Sequence, residues 1–176
     1  MARLILLNGP PGIGKSTLAR RFIADHPLAL NLDVDLVRAQ LGRWSEHPLE
    51  SGLLARALAV GMARAHLASG FDVVVAQLVA QVEFVHALEA EARSAGAPFY
   101  EIVLMDGRDA ARARFLGRTT PAPGVHGAPR AAEFDELYDR LVAMLAERPN
   151  ASVVATHSGD VDQTYRAVLT VLAEPR

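Results

Sequence analysis

The sequence predicts an α/β fold in three layers: a five-stranded parallel sheet with helices on both faces, and a lid segment at about residues 118–130. Three observations support it. Short apolar runs alternate five times with segments whose apolar residues recur at helical spacing. The first run leads straight into Gly9-Pro10-Pro11-Gly12-Ile13-Gly14-Lys15-Ser16-Thr17, which satisfies the phosphate-loop pattern G-x-x-x-x-G-K-[ST]. Polar residues collect just after the apolar runs, at Asn8, Asp33, Gln77, Asp106 and Thr156-His157, where open parallel sheets bind their ligands.

The elements follow in order. Arg3 to Asn8 is apolar on both faces, as a buried parallel strand must be. Ser16 to Asp25 carries Leu18, Ala19, Phe22 and Ile23 at helical spacing, so the loop lies between a strand and a helix. Leu28 to Asp33 reads as the second strand, residues 34–42 as a helix ended by Gly42, and residues 43–48 as a loop. Residues 49–69 form a long alanine-rich helix closed by Gly70. Val73 to Ala76 is the third strand, Gln81 to Ala95 a helix, Phe99 to Met105 the fourth strand and Asp109 to Gly117 a helix. Residues 118–130 are too rich in proline and glycine for a helix or an inner strand. Helix resumes from Ala131 to Glu147, and Ser152 to Ala155 and Val161 to Ala173 complete the alternation. No linker divides the chain, so residues 1–176 are expected to form one domain.

Composition narrows the function. A hydrophobic content of 51% and a charged content of 22% suit a globular domain. A net charge of −2 without a basic tract leaves little field for non-specific nucleic-acid binding. With no cysteine, disulfides and thiolate metal sites are excluded. The six histidines form no H-x-x-x-H pair, so zinc is not expected; His126 and His157 are the two nearest the predicted site. No apolar run approaches the roughly 20 residues of a membrane span. The first strand begins at once, which leaves no room for a signal peptide, so the expectation is a cytoplasmic enzyme, monomeric or homodimeric.

Lys15 is the only lysine among 18 basic residues. A compact ammonium fits between β- and γ-phosphate oxygens, where a planar guanidinium needs a fork-shaped partner. The backbone N–H groups from Gly12 through Ile13, Gly14, Lys15 and Ser16 to Thr17 should wrap a β-phosphate, with the next helix adding its dipole. Ser16 is placed to ligate Mg²⁺. Solitude of the lysine also excludes an Asn-Lys-x-Asp guanine motif, and the third strand ends in Ala76-Gln77 instead of a Walker B aspartate. Both features argue against a GTPase switch or a motor.

On these motifs and this element order the chain resembles the small P-loop kinases: shikimate, gluconate and adenylylsulfate kinase and chloramphenicol phosphotransferase. The pattern Asp33-Val34-Asp35-Leu36-Val37-Arg38 is especially similar to adenylylsulfate kinase. The resemblance implies ATP and Mg²⁺ as cofactors. It implies that Asp33 holds a Mg²⁺-bound water, that Asp35 accepts the proton of the substrate hydroxyl and that Arg38 grips the substrate. The alternative for Asp35 is the N-cap of the helix that follows, a role that could operate alongside catalysis, and the alternative for Arg38 is a surface arginine. Arg114 and Arg118 share a helix face ahead of the lid, and the resemblance makes them nucleotide contacts, with Arg118 adding charge to the transferring phosphoryl group. The adenine is then expected between this helix and the loop Thr156-His157-Ser158-Gly159.

Residues 39–66 should form the acceptor side, with Trp44 beside Gln40, Arg43, Glu46 and His47. Gln77 is a further substrate candidate at the end of the third strand. The function expected is an ATP-dependent kinase acting on a hydroxyl of a metabolite or antibiotic. A nucleoside or nucleotide kinase, a zeta-toxin-like kinase of activated sugars and a binding protein without turnover are the alternatives.

Overall fold

The computed structural model describes residues 1–117, 130–156 and 160–174. The predicted lid, with Arg118 and His126, lies outside the described residues apart from Arg130, as do His157, Ser158 and Gly159. Five strands alternate with seven helices among the described residues: β1 (Leu4–Asn8), α1 (Lys15–Asp25), β2 (Leu30–Leu32), α2 (Val34–Ala39), α3 (Pro48–Ala68), β3 (Val73–Ala76), α4 (Val82–Ser94), β4 (Phe99–Met105), α5 (Arg108–Leu116), α6 (Ala131–Ala146), β5 (Ser152–Ala155) and α7 (Val161–Ala173). A 3₁₀ turn, Trp44–Glu46, occupies the segment read as a loop.

All strand pairs are parallel, in the order β2-β3-β1-β4-β5. β1 is central and buried along its whole length, with Leu4 opposite Val73 on one side and Phe99 on the other. Alternating residues feed two cores. Leu4, Leu6, Val73, Val75 and Val103 meet α3 and α4 on one face. Ile5, Leu7, Val74, Ile102 and Leu104 meet α1, α5 and α7 on the other. Helix α6 serves both cores, through Leu141 and Met144 on the first and Phe134 on the second.

Helix α3 buries Ser51, Ala55, Ala59, Ala63 and Leu67, a stripe at a spacing of four. The three alanines let its backbone lie close to the layer beneath. Pro48 opens it at a position where the missing N–H costs nothing, and Gly70 follows its C-cap Ser69 at φ +86°. Among the described residues, no helix is long and apolar enough to cross a membrane.

The strand order decides where the site falls. β1 runs into the phosphate loop, β2 into Asp33 and β3 into Gln77, and these three strands are neighbours. Chain segments far apart in sequence therefore meet beyond one end of the sheet.

Candidate active site

The phosphate loop is shaped by glycines at two close approaches. Gly9 has φ +143°, and a Cβ there would lie 2.5 Å from the carbonyl oxygen of Leu104. Gly12 has φ +83°, and its Cβ would meet the backbone of Arg114 and Phe115 at 3.2–3.4 Å. Both positions need a residue with left-handed freedom and no side chain. The second contact also seats the end of α5 directly on the loop.

Asn8, fully buried, anchors the loop's entrance. Its Oδ1 accepts from the backbone N–H of Gly9 at 2.8 Å and of Val79 at 2.9 Å, and its Nδ2 donates to the Val79 carbonyl at 2.8 Å. One amide thus joins the phosphate loop to the segment after β3. Its sequence signal was a polar residue ending an apolar strand.

Lys15 opens α1 and is 9% exposed. Its Nζ donates to the carbonyl oxygens of Gly9 at 2.8 Å and Pro10 at 2.9 Å. Those partners are neutral and belong to the loop itself, so the ammonium is held over the loop with its charge uncancelled by them. Ser16 and Thr17 stand exposed in the first turn of α1, and Ile13 is buried beneath the loop.

The two aspartates after β2 separate in role. Asp33 is the N-cap of α2: its Oδ1 accepts from the N–H of Asp35 at 2.9 Å and of Leu36 at 3.2 Å. The cap therefore falls on Asp33, not on Asp35. The physical reason is that residue 33 has extended backbone (φ −99°, ψ 110°), whereas Asp35 already lies inside the first helical turn. Asp35 instead receives a hydrogen bond from Gln77 Nε2 at 3.3 Å. Burial raises the Asp35 carboxyl above its ordinary value. The Gln77 bond opposes that shift, neighbouring Asp33 adds to it, and the positive charges of Arg38 and Lys15 oppose it.

Arg38 is a clamp between α2 and the start of α3. Its Nε donates to Ser51 Oγ at 2.9 Å and its guanidinium donates to the Pro48 carbonyl at 2.7 Å. Ser51 Oγ in turn donates to the Trp44 carbonyl at 3.0 Å. The Arg38 guanidinium lies 5.1 Å from the centre of the Trp44 ring, within cation–π reach.

These elements enclose a cleft of about 210 Å³. Asp35, Arg38 and Gln77 line it; Trp44 does not, and touches it only through Arg38. Arg43 is paired with Glu46 on the outside of the 3₁₀ turn and also lies away from the cleft. Arg56 of α3, Phe84 of α4 and Leu137 and Arg140 of α6 complete the walls. The arginines among them carry no sequence signal that sets them apart from the other arginines of a chain with one lysine.

Arg114 reaches back to Asp106, just beyond β4, at 2.6 Å, while its backbone packs against Gly12. Arg108 and Arg112 are directed toward α6, where they pair with Asp135 and Asp139. Of the described arginines ahead of the lid, Arg114 is the one whose backbone meets the phosphate loop at Gly12.

A phosphate loop between β1 and α1, on a parallel sheet of order 2-3-1-4-5, defines a P-loop nucleotide-binding protein of the kinase type. Residues 4–143 match the AAA domain family of P-loop proteins, and the chain belongs to it. A search of curated proteins by sequence gives no match. The fold is similar to that of a provisionally assigned kinase from Chloroflexus aurantiacus (TM-score 0.72, 18% identity, 99% of each chain covered). It is also similar to the tunicamycin resistance protein of Deinococcus radiodurans (TM-score 0.64, 14% identity, 99% of this chain and 98% of that one covered). At these identities the likeness is one of fold.

Proposed function

We propose that the protein is an ATP-dependent kinase that transfers the γ-phosphate to a hydroxyl group of a small molecule. The observation that carries this reading is Asp35. Its carboxylate is released from capping by Asp33, lines a cleft, and lies near enough to Lys15 for the ammonium to act on its ionisation.

The acceptor hydroxyl oxygen attacks the γ-phosphorus. A new P–O bond forms, the bond from phosphorus to the β,γ-bridging oxygen breaks, and ADP leaves. The hydroxyl proton passes to Asp35, whose raised proton affinity suits a general base. Gln77 orients that carboxylate without cancelling its charge. Lys15 exchanges the carbonyls of Gly9 and Pro10 for β- and γ-phosphate oxygens, and the N–H groups from Gly12 to Thr17 receive the β-phosphate. Arg118, Arg114 and the lid are assigned to the outer side of the phosphates, where they exclude water and add positive charge.

Mg²⁺ would be held by the exposed Ser16 hydroxyl and, through water, by Asp33, whose Oδ1 makes both cap bonds and leaves Oδ2 for that task. Few protein ligands plus phosphate oxygens is the usual Mg²⁺ arrangement, so this donor set fits. The ion supplies neutralisation of phosphate charge.

A coupled ADP-release screen over sugars, activated sugars, nucleosides, aminoglycosides and phenicols tests the reading. Acceptor-dependent ADP release is expected with one class. Lys15→Ala should abolish it with the thermal melt unchanged, and near-normal turnover in that variant would sink the kinase assignment.

A further inference from the structure

A second cleft opens at the amino ends of β4 and β5, at the opposite end of the sheet from the phosphate loop. Gly96, Ala97 and Pro98 ahead of β4 and Arg148 and Asn150 ahead of β5 form its sides. Its volume is about 840 Å³, against about 210 Å³ for the cleft at Asp35. That places it within the span of small-molecule sites, roughly 300–1,000 Å³. None of the residues assigned to phosphate transfer lines it.

Glu101 singles this cleft out. It is the third residue of β4, opposite Leu6 of the central strand, and is 2% exposed. It shares a sheet face with Val103, which packs in the core beneath α3 and α4. An aliphatic residue would serve packing there, whereas a carboxylate must give up its water. Arg148 replaces part of what is lost. It donates from Nε to Glu101 Oε2 at 2.8 Å and from Nη2 to Glu89 at 3.1 Å, so one guanidinium serves two carboxylates. Arg93, the other arginine of the cleft, is exposed and comes within only 3.8 Å of Glu89. Glu101 Oε1 is buried and has no hydrogen-bond partner among the described residues. With Glu174 at the edge, the side chains of the cleft carry three carboxylates against two guanidiniums. A water molecule would satisfy Oε1 without balancing that charge, while an N–H cation does both. Pro98 and Phe99 line the same cleft and offer apolar surface and an aromatic ring to the body of such a ligand.

We propose that this cleft is a second ligand site, separate from the candidate active site, and that it takes a small molecule carrying a protonated amine. The amine donates to Glu101 Oε1, and the carbon skeleton lies against Pro98 and Phe99. Glu101 thus has two duties: Oε2 ties β4 to Arg148, and Oε1 receives the ligand. The site does not depend on the kinase reading, because no group of the phosphate loop or of the Asp35 cleft takes part in it.

The test is a binding measurement that maps where the ligand sits. The full ¹⁵N-labelled chain, without nucleotide, is titrated in low salt and followed by its backbone amide signals. The probes are butylamine, 1,4-diaminobutane and benzylamine, each matched with the corresponding alcohol. At least one amine should bind about tenfold or more tighter than its alcohol. It should shift the amides of Phe99, Glu101 and Asn150 and leave those from Gly12 to Thr17 in place. The ratio should fall to near one in Glu101→Gln, which keeps an oxygen for Arg148 but removes the charge. If that variant melts too low to titrate, Glu101→Met combined with Arg148→Met replaces it and should lose the ratio in the same way. Equal binding of every matched pair, absence of binding throughout, shifts centred on the phosphate loop or the Asp35 cleft, or an undiminished ratio in the variant overturns the proposal.

Discussion

At the amino ends of the strands, Arg3 and Arg148 are hydrogen-bonded to carboxylates; at the carboxyl ends, beside the phosphate loop, Asp35 and Arg38 are hydrogen-bonded to neutral groups, and Lys15 and Arg38 act on Asp35 through space. Arg3, ahead of β1, is forked onto Asp72, ahead of β3, with Nε–Oδ2 at 3.0 Å. Arg148, ahead of β5, donates to Glu101 at 2.8 Å and to Glu89 at 3.1 Å. At the other end Lys15 is held by two carbonyls, Asp35 by an amide, Arg38 by a hydroxyl and a carbonyl, and Arg56 by nothing among the described residues. A charge neutralised by its opposite braces the fold. A charge held by a dipole keeps its place and remains available to phosphate, proton or anion. Arg140, paired with Glu136, is an exception at the site end, and so is Arg114, which is paired with Asp106. That pairing fixes the turn of α5 that rests on Gly12.

The comparison can be broken from either side. The largest effect is expected from Lys15→Ala, which should lower acceptor-dependent turnover by on the order of 10³ while leaving the melt intact. A fall in Tm as large as the fall in rate would mean the ammonium braces the loop and is not reserved for phosphate.

The next largest is expected at the amino end and in stability alone. Glu101 is 2% exposed in the middle of β4, so Arg148→Ala strands a buried carboxylate. A cost of about 3–5 kcal/mol is expected, or a Tm lower by roughly 6–20 °C. Replacing Glu101 and Arg148 together with methionine should recover most of it. Calorimetric melts check both variants; a mild effect of the single change would remove the contrast between the two ends.

Asp35→Asn should move the two quantities in opposite directions. The rate constant should fall by a factor on the order of 10². Stability at neutral pH should rise, by the following sign. Burial raises the folded-state carboxyl above its unfolded value, so its favourable contribution exists at low pH and is lost as pH rises through the folded value. An amide escapes that loss. The Tm advantage of the variant should therefore vanish below the unfolded carboxylate range, and wild-type kcat/KM should fall on acidification with a midpoint above that range. A variant that is slower and also less stable at neutral pH would make Asp35 a structural residue.

The smallest effect is expected from Arg38→Ala. Loss of two hydrogen bonds and a cation–π contact should cost about 1–3 kcal/mol and raise the KM of the acceptor more than that of ATP. Equal effects on both KM values would separate Arg38 from the cleft.

The contrast also explains what was legible in the sequence. Strands buried on both faces read as unbroken apolar runs, so all five could be placed, and the phosphate loop declares itself through Gly9, Gly14, Lys15 and Ser16. Strand order was not legible, because pairing in a parallel sheet depends on which runs meet in space. Nor was the division of labour between Asp33 and Asp35. The two have the same chemistry two residues apart, and only the turn of the backbone into α2 decides which one caps. Ser51, which links Arg38 to Trp44, looks in sequence like any helix-surface serine. Arg56 and Arg140 are hidden for a compositional reason: where arginine replaces lysine nearly everywhere, a cleft-lining guanidinium has no distinguishing mark.

The most direct test of the central claim is the fate of the γ-phosphate. Wild-type protein, ATP, Mg²⁺ and an acceptor that stimulates ADP release are analysed by ³¹P NMR and mass spectrometry. The account predicts a phosphate monoester of the acceptor formed one-to-one with ADP, and its loss in Asp35→Asn. ADP accompanied by inorganic phosphate alone, with the acceptor unmodified, would contradict it.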